Sequence, residues 1–182
     1  LADTPRPNIL LVVVDDMGFS DIGAFGGEIP TPNLDQLAQR GMRFTDFQVL
    51  PACSPTRATL LTGREPHDVG FGSLAEELAD NQKGAAAYAG ALPVDVTTLP
   101  RLLQFAGYRT YMAGKWHLGF EAGRGPAFFG FDESVAMLDG GASHFVDMKP
   151  AYAPDPTAVA RYTRNDELLR QLPEDFVYSS QF

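Results

Sequence analysis

Three short stretches of this chain carry side chains whose types and spacing could do chemistry. Asp15 and Asp16 follow directly on a run of apolar residues. Two hard oxygen donors at the end of a strand suit Ca²⁺ or Mg²⁺; the same pair could also sit solvated at a strand-to-loop junction. Cys53 opens the run Cys53-Ser54-Pro55-Thr56-Arg57. Backbone N–H groups at a helix start favour a bound anion and lower a thiol pKa. Arg57 lies one helical turn on and can reach back toward position 53. A buried structural Cys beside a surface Arg is the other reading. Lys115 and His117 lie two apart in Gly114-Lys115-Trp116-His117. In extended backbone they share a side, and a cation with an imidazole can bind an oxyanion and move a proton. A polar loop would contain the same residues. His67, in REPHDVG, reads as a loop histidine, and Phe128, Phe129, Phe131 and Phe145 read as core.

The elements that must position these groups follow from pattern and punctuation. Asn8 to Val14 is a continuous β-branched run and predicts a strand buried on both faces, with the Asp pair at its C-terminal end. Thr31-Pro32 predicts a helix with Leu34, Leu37 and Ala38 as its stripe and Gly41 as its stop. Met42 to Val49 predicts a second strand. Ser54-Pro55 is an N-cap and N1 pair for a helix that passes Ala58, Leu60 and Leu61 and ends at Gly63. Residues 80–95 read as loop. Thr98-Leu99-Pro100 starts a third helix, with Leu99, Leu102, Leu103 and Ala106 on one side, ended by Gly107. Arg109 to Ala113 reads as the strand that leads into Lys115 and His117. Residues 119–130 are turn-rich and residues 157–172 weakly helical. Strand–helix alternation of this kind predicts an α/β fold. Tyr178 to Phe182 resembles the lead-in to another helix, and a sheet this small keeps an open edge. The expectation is therefore the front portion, over residues 1–182, of a longer domain.

Composition narrows the classes. Of 182 residues, 45% are hydrophobic and 20% charged, which excludes a disordered, collagenous or coiled-coil chain. Fourteen Lys and Arg against 23 Asp and Glu give a net charge of −9, so nucleic acid is not an expected partner. The single Cys rules out an intrachain disulfide and leaves its thiol to be explained. The longest apolar run, Ile9 to Val14, is too short to span a bilayer. Leu1-Ala2-Asp3 could be the remnant of a signal-peptidase site, which points to the periplasm or secretion, or an arbitrary boundary.

These stretches, in this order, resemble the type I sulfatases of the alkaline phosphatase superfamily, with the flavour of bacterial arylsulfatases. CSPTRATLLTGR (53–64) resembles the Cys-x-Pro-x-Arg signature and GYRTYMAGKWHLG (107–119) the second one. NILLVVVDDMGFSDIGAFGG (8–27) is similar to the family's opening strand and metal-binding Asp pair, and TPNLDQLAQRGMRFTDF (31–47) to the segment between. The resemblance implies an alkaline-phosphatase-like α/β fold with a central, mostly parallel sheet flanked by helices. It implies hydrolysis of sulfate monoesters, small aryl sulfates or sulfated glycans. Cys53 would be converted to formylglycine by a separate formylglycine-generating enzyme. One hydroxyl of the hydrated aldehyde attacks sulfur, and the second expels sulfate, which a simple thiol or hydroxyl could not do. Asp15, Asp16 and the oxygen at residue 53 would ligate a divalent cation, usually Ca²⁺. Arg57 would hold the formylglycine oxygens, Lys115 would bind the sulfate, and His117 would serve as base. His144, in GGASHF, lies where the resembling enzymes have a loop at the active-site mouth and is a candidate substrate contact. The family's further metal ligands and its leaving-group acid find no match in these residues, so residues 1–182 alone are expected not to turn over. A phosphonate or phosphate ester hydrolase of the same superfamily, or a non-catalytic fragment that binds sulfated ligands, are the alternatives.

Overall fold

The computed structural model describes residues 6–151, 155 and 157–178. The readings made of Leu1 to Asp3 and of residues 179–182 lie outside these. The chain divides into two compact units, Leu1–Gln48 and Val49–Phe182.

The first unit holds two short 3₁₀ turns and helix α1, Pro32–Arg40. Thr31 precedes α1 as expected, but its side chain does not cap the helix. Instead Thr31 Oγ1 accepts from the Gly23 N–H (2.9 Å) and donates to Asp35 Oδ1 (2.9 Å), while Asp35 Oδ1 also accepts from the Ala24 N–H (2.7 Å). The first turn of α1 is thereby tied to the 3₁₀ turn Gly23–Phe25. The strand expected over Asn8 to Val14 is not formed: these residues are irregular and exposed, Leu10 by 88%. Met42 to Val49 is likewise irregular and exposed rather than a strand. The reason is pairing. A β-branched run becomes a strand only when a neighbour takes its N–H and C=O groups, and no described strand pairs with either segment.

The second unit holds α2 (Cys53–Thr62), α3 (Leu99–Phe105) and a four-stranded sheet in the order β1-β2-β3-β4. Gly63, at φ +66, closes α2 in the left-handed conformation that glycine adopts without strain. Strand β1 (Tyr111–Lys115) pairs in parallel with β2 (Glu133–Met137), as Tyr111 with Glu133 and Lys115 with Met137. Strands β3 (Tyr162–Arg164) and β4 (Glu167–Leu169) add antiparallel pairings, so the described sheet is mixed, within an α/β arrangement, rather than mostly parallel.

The helix expected within 157–172 is thus a β-hairpin. Asn165 and Asp166 both have positive φ (51° and 66°), which a two-residue type I′ turn requires. Their side chains then dock the turn. Asn165 Oδ1 accepts from the Ser134 N–H (2.7 Å), and the Asp166 carboxylate accepts from the N–H groups of Ala127 (3.0 Å) and Phe128 (2.8 Å).

The main core joins Ala58 of α2, Trp116 and Leu118 after β1, Phe129, and Ala136 and Leu138 on or beside β2. Trp116 stacks on Phe129 with ring centroids 5.8 Å apart. Phe131 packs against this cluster, whereas Phe145 is exposed and Phe128 lies under the Arg101 guanidinium, contrary to the expectation that all four are core. A second cluster gathers Met137, Met148, Tyr162, Leu172 and Phe176. Among the described residues no helix is long and apolar enough to cross a membrane.

Candidate active site

Helix α2 begins one residue before the expected N-cap, after Ala52 in extended backbone, so Cys53 itself occupies the first helical turn. The N–H groups of that turn have no partners within the helix and point out of its N-terminus. Helix α2 is held there by Thr56, whose Oγ1 donates to the Leu50 carbonyl (3.0 Å).

His117 reaches the same place from the sheet. Strand β1 stops at Lys115, and the Trp116 N–H donates to the Met137 carbonyl (2.8 Å), continuing the ladder by one bond. Trp116 buries its ring in the core. His117 then turns into the left-handed region at φ +54. The expectation that Lys115 and His117 share a side by simple strand alternation is therefore corrected: a left-handed turn after a buried anchor sets the direction of His117. Its Nδ1 lies 3.2 Å from Cys53 Sγ. Arg57 Nη1 donates to the Lys115 carbonyl (2.7 Å), fastening the second turn of α2 to the end of β1. Cys53, Arg57, Lys115 and His117, 64 residues apart at their extremes, thus meet through α2 and β1.

Glu76, in the 3₁₀ turn Ala75–Glu77, completes a chain of contacts. Its Oε1 lies 2.9 Å from His117 Nε2. Burial pushes the Cys53 thiol pKa up, but the His117 hydrogen bond and the charges of His117 and Lys115 outweigh it, so the pKa falls below the ordinary value. Burial likewise pulls His117 down, and the bonds to Cys53 and Glu76 more than reverse it, so its pKa is raised. The His117 hydrogen bond holds the Glu76 carboxyl below the usual carboxylate range, against partial burial. A nucleophile, a base within hydrogen-bond reach, and a third group on the far side of the base is the arrangement that activates nucleophiles in covalent catalysis. Sequence reading did not single out Glu76. It lies 41 residues before His117, beside a second glutamate and with no spacing that relates the two.

The remaining candidates have surroundings of their own. Asp15 and Asp16, in the first unit, occupy a turn with Asp16 at φ +55, and both are exposed. As hard carboxylate donors they fit a cation such as Ca²⁺. Among the described residues, no group of three or more His, Cys, Asp and Glu could hold a metal ion. His144 is exposed and packs its ring on Tyr178 (5.6 Å between centroids), whose N–H donates to the His144 carbonyl (2.9 Å). His67 is exposed and meets Tyr88 edge-on at 5.6 Å.

Comparison with known proteins decides the family. A family model described as Sulfatase matches residues 7–177. This chain belongs to the sulfatase family. It is 43% identical over 180 residues to an arylsulfatase of Klebsiella aerogenes, covering 99% of this chain and 38% of that protein. It is 42% identical over 191 residues to an uncharacterized sulfatase of Schizosaccharomyces pombe, covering all of this chain and 34% of the relative. The chain therefore spans little more than a third of these curated relatives. Among solved structures, Ps i-CgsB superposes with a TM-score of 0.76 at 30% identity, over 97% of this chain and 39% of that one. The same protein has been crystallised with k-i-k-neocarrahexaose. PsFucS1 sulfatase from Pseudoalteromonas sp. follows at 0.60 and 34% identity, over 79% of this chain and 28% of that one. The fold is accordingly that of the sulfatases, the alkaline-phosphatase-like α/β fold expected from the motifs.

Proposed function

We propose that the protein carrying this chain hydrolyses sulfate monoesters, with residue 53 as its nucleophile. The observation that supports this most directly is the 3.2 Å contact between Cys53 Sγ, in the first turn of α2, and His117 Nδ1. Residues 53–57, Cys-Ser-Pro-Thr-Arg, would be read by a formylglycine-generating enzyme that oxidises Cys53 to the aldehyde. As its hydrate, formylglycine supplies one hydroxyl to attack sulfur and a second to release sulfate. His117 Nδ1 takes a proton from the hydroxyl at residue 53. The Lys115 ammonium binds and neutralises the oxygens of the sulfate, and the helix N-terminus favours the same anion. Arg57 keeps α2 and the end of β1 in fixed relation and lies within one turn of residue 53. Base catalysis of this kind contributes on the order of 10²–10⁴-fold. Asp15 and Asp16 are the carboxylates that would hold a divalent cation, which would supply positive charge that stabilises the nucleophile's oxygen as an alkoxide. His144 is a candidate contact for the organic part of the substrate. That part would be an aryl or a glycan group, since one relative is named an arylsulfatase and one structural neighbour is crystallised in complex with k-i-k-neocarrahexaose.

The test starts with the mass of a peptide spanning residues 51–64, from protein made with and without the modifying enzyme. Protein with an aldehyde at 53 should cleave an aryl sulfate, and protein with a thiol should not. Turnover by protein that holds only thiol would refute the role of formylglycine. A faster rate on the matching aryl phosphate would move the assignment to phosphate esters.

A further inference from the structure

His117 is held at both ring nitrogens. Nδ1 faces Cys53 Sγ at 3.2 Å and Nε2 faces Glu76 Oε1 at 2.9 Å. A carboxylate can only accept a hydrogen bond, so Nε2 carries the proton in the second contact. In a neutral imidazole the lone pair then lies on Nδ1, on the side of residue 53. The tautomer that can take a proton from residue 53 is thus the one that Glu76 selects.

The space around this pair is also set. A Cβ on Gly140 would lie 2.7 Å from both Cε1 and Nε2 of His117 and 3.1 Å from Glu76 Oε1. Gly140 is not in the left-handed region, so what its position demands is room for the His117–Glu76 pair rather than an unusual backbone. The segment carrying Gly140 is anchored. The Leu138 N–H donates to the Arg161 carbonyl (2.8 Å), and the Arg161 N–H donates to Asp139 Oδ2 (2.6 Å). The Arg161 guanidinium grips the same carboxylate through Nε, at 3.1 and 3.2 Å, and through Nη2. The wall behind the His117 ring is therefore poorly able to yield. His117 itself sits at φ +54, a conformation that costs a non-glycine residue ~1–2 kcal/mol, so contacts of its side chain must help to hold it.

We propose that Glu76, packed against Gly140, is the positioning residue that turns the unprotonated Nδ1 of His117 toward residue 53. This rests on the reading of residue 53 as the nucleophile of a sulfate ester hydrolase. Glu76 is 42% exposed on its side chain and His117 only 10%, so the carboxylate keeps part of its hydration while it holds a ring that is largely buried. What Glu76 adds is direction.

The experiment uses the natural gene product that contains this chain, made with the formylglycine-generating enzyme, as wild type, E76A, E76Q and G140A. Rates on an aryl sulfate are expressed per aldehyde, counted by mass. E76A and G140A should lower kcat by ~10–100-fold with KM within about threefold, the size expected of a misdirected catalytic group. E76Q should stay within about fivefold of wild type, because the amide oxygen still accepts from Nε2–H. A second readout does not depend on turnover. ¹⁵N spectra of the histidines, at a pH where His117 is neutral, should show the Nε2–H tautomer in wild type and E76Q and a mixture of the Nε2–H and Nδ1–H tautomers in E76A. Three results would overturn the proposal: E76A within twofold of wild type in kcat, E76Q as impaired as E76A, or a wild-type His117 protonated on Nδ1. A wild-type protein that carries the aldehyde yet cleaves no sulfate ester would refute the hydrolytic reading instead, and the ¹⁵N result would still decide the role of Glu76. Should E76A fail to fold, the tautomer in E76Q and the kcat of G140A decide.

Discussion

Gly130→Ala tests the packing that carries Trp116, and hence His117, to the site. Gly130 is buried at φ +102, and a Cβ there would lie 2.8 Å from the Arg101 backbone nitrogen and 3.1 Å from Arg101 Cα. Both atoms belong to the first turn of α3, which cannot retreat without breaking the helix start. Gly130 also accepts the Thr110 Oγ1 hydrogen bond through its carbonyl (2.7 Å), and its neighbour Phe129 stacks on Trp116. Left-handed backbone costs an alanine ~1–2 kcal/mol, and overpacking against a fixed neighbour adds ~1–3 kcal/mol. The loss of unfolded-chain freedom returns ~0.4–1 kcal/mol, so the net destabilisation is ~1–5 kcal/mol, a large part of a typical stability of ~5–15 kcal/mol. Gly123→Ala is the control, because Gly123 has φ +70 and nothing within 4 Å of a built Cβ. It should lose only ~0–1.6 kcal/mol, because the overpacking term is missing. Urea unfolding followed by the fluorescence of Trp116, the single Trp in these 182 residues, reports on this core. Equal m-values with midpoints separated by the predicted difference would support the argument. If G130A and G123A unfold within ~0.5 kcal/mol of each other, the clash with Arg101 does not control this turn.

Thr98 Oγ1 donates to the Phe129 carbonyl (2.5 Å) in a fully buried setting, so T98V should lose ~1–3 kcal/mol by the same urea assay while T98S stays near wild type. In protein made without the modifying enzyme, His117 and Lys115 lower the Cys53 pKa against burial, so thiolate forms at lower pH than in a free cysteine. H117Q removes the largest favourable contribution, and the pH at which iodoacetamide alkylation of Cys53 sets in should rise; an unchanged onset would contradict the 3.2 Å contact. Chelation should abolish aryl sulfate turnover and Ca²⁺ restore it, and D15N or D16N should raise the Ca²⁺ concentration needed by ~10-fold or more; wild-type response in both variants would remove the pair from the metal site.

The parts of this fold that the sequence made legible are those decided locally. Pro32, Pro100 and the glycines at 41, 63 and 107 punctuate three helices, and the structure places α1, α2 and α3 between them to within a residue or two. The pattern over Arg109 to Ala113 predicts a strand two residues before the one that forms, β1 at Tyr111–Lys115. The failures lie where distant partners decide. Asn8 to Val14 has strand composition, yet no described strand takes its hydrogen bonds. In 157–172 the apolar pattern of TAVARYTRNDELLRQL predicts weak helix, but Asn165-Asp166 tolerates positive φ and turns Tyr162–Arg164 back onto Glu167–Leu169.

The candidate site divides in the same way. Cys53 and Arg57 lie on one helix and Lys115 and His117 beside one strand end, so their spacing announced each pair. No spacing announces Glu76 or Gly140, because they meet His117 only through the tertiary fold. Strand alternation would put His117 on the side of Lys115, whereas the molecule directs it by ending the strand at Lys115, burying Trp116 and turning left-handed. A histidine placed by a regular strand takes its direction from the ladder, whereas one at φ +54 after the last pairing takes it from the groups around its ring. In the proposed mechanism the orientation of His117 toward residue 53 then depends on a carboxylate in a 3₁₀ turn and on the missing side chain of Gly140. Substitutions at those two positions should therefore alter how residue 53 is activated while leaving α2 and β1 in place.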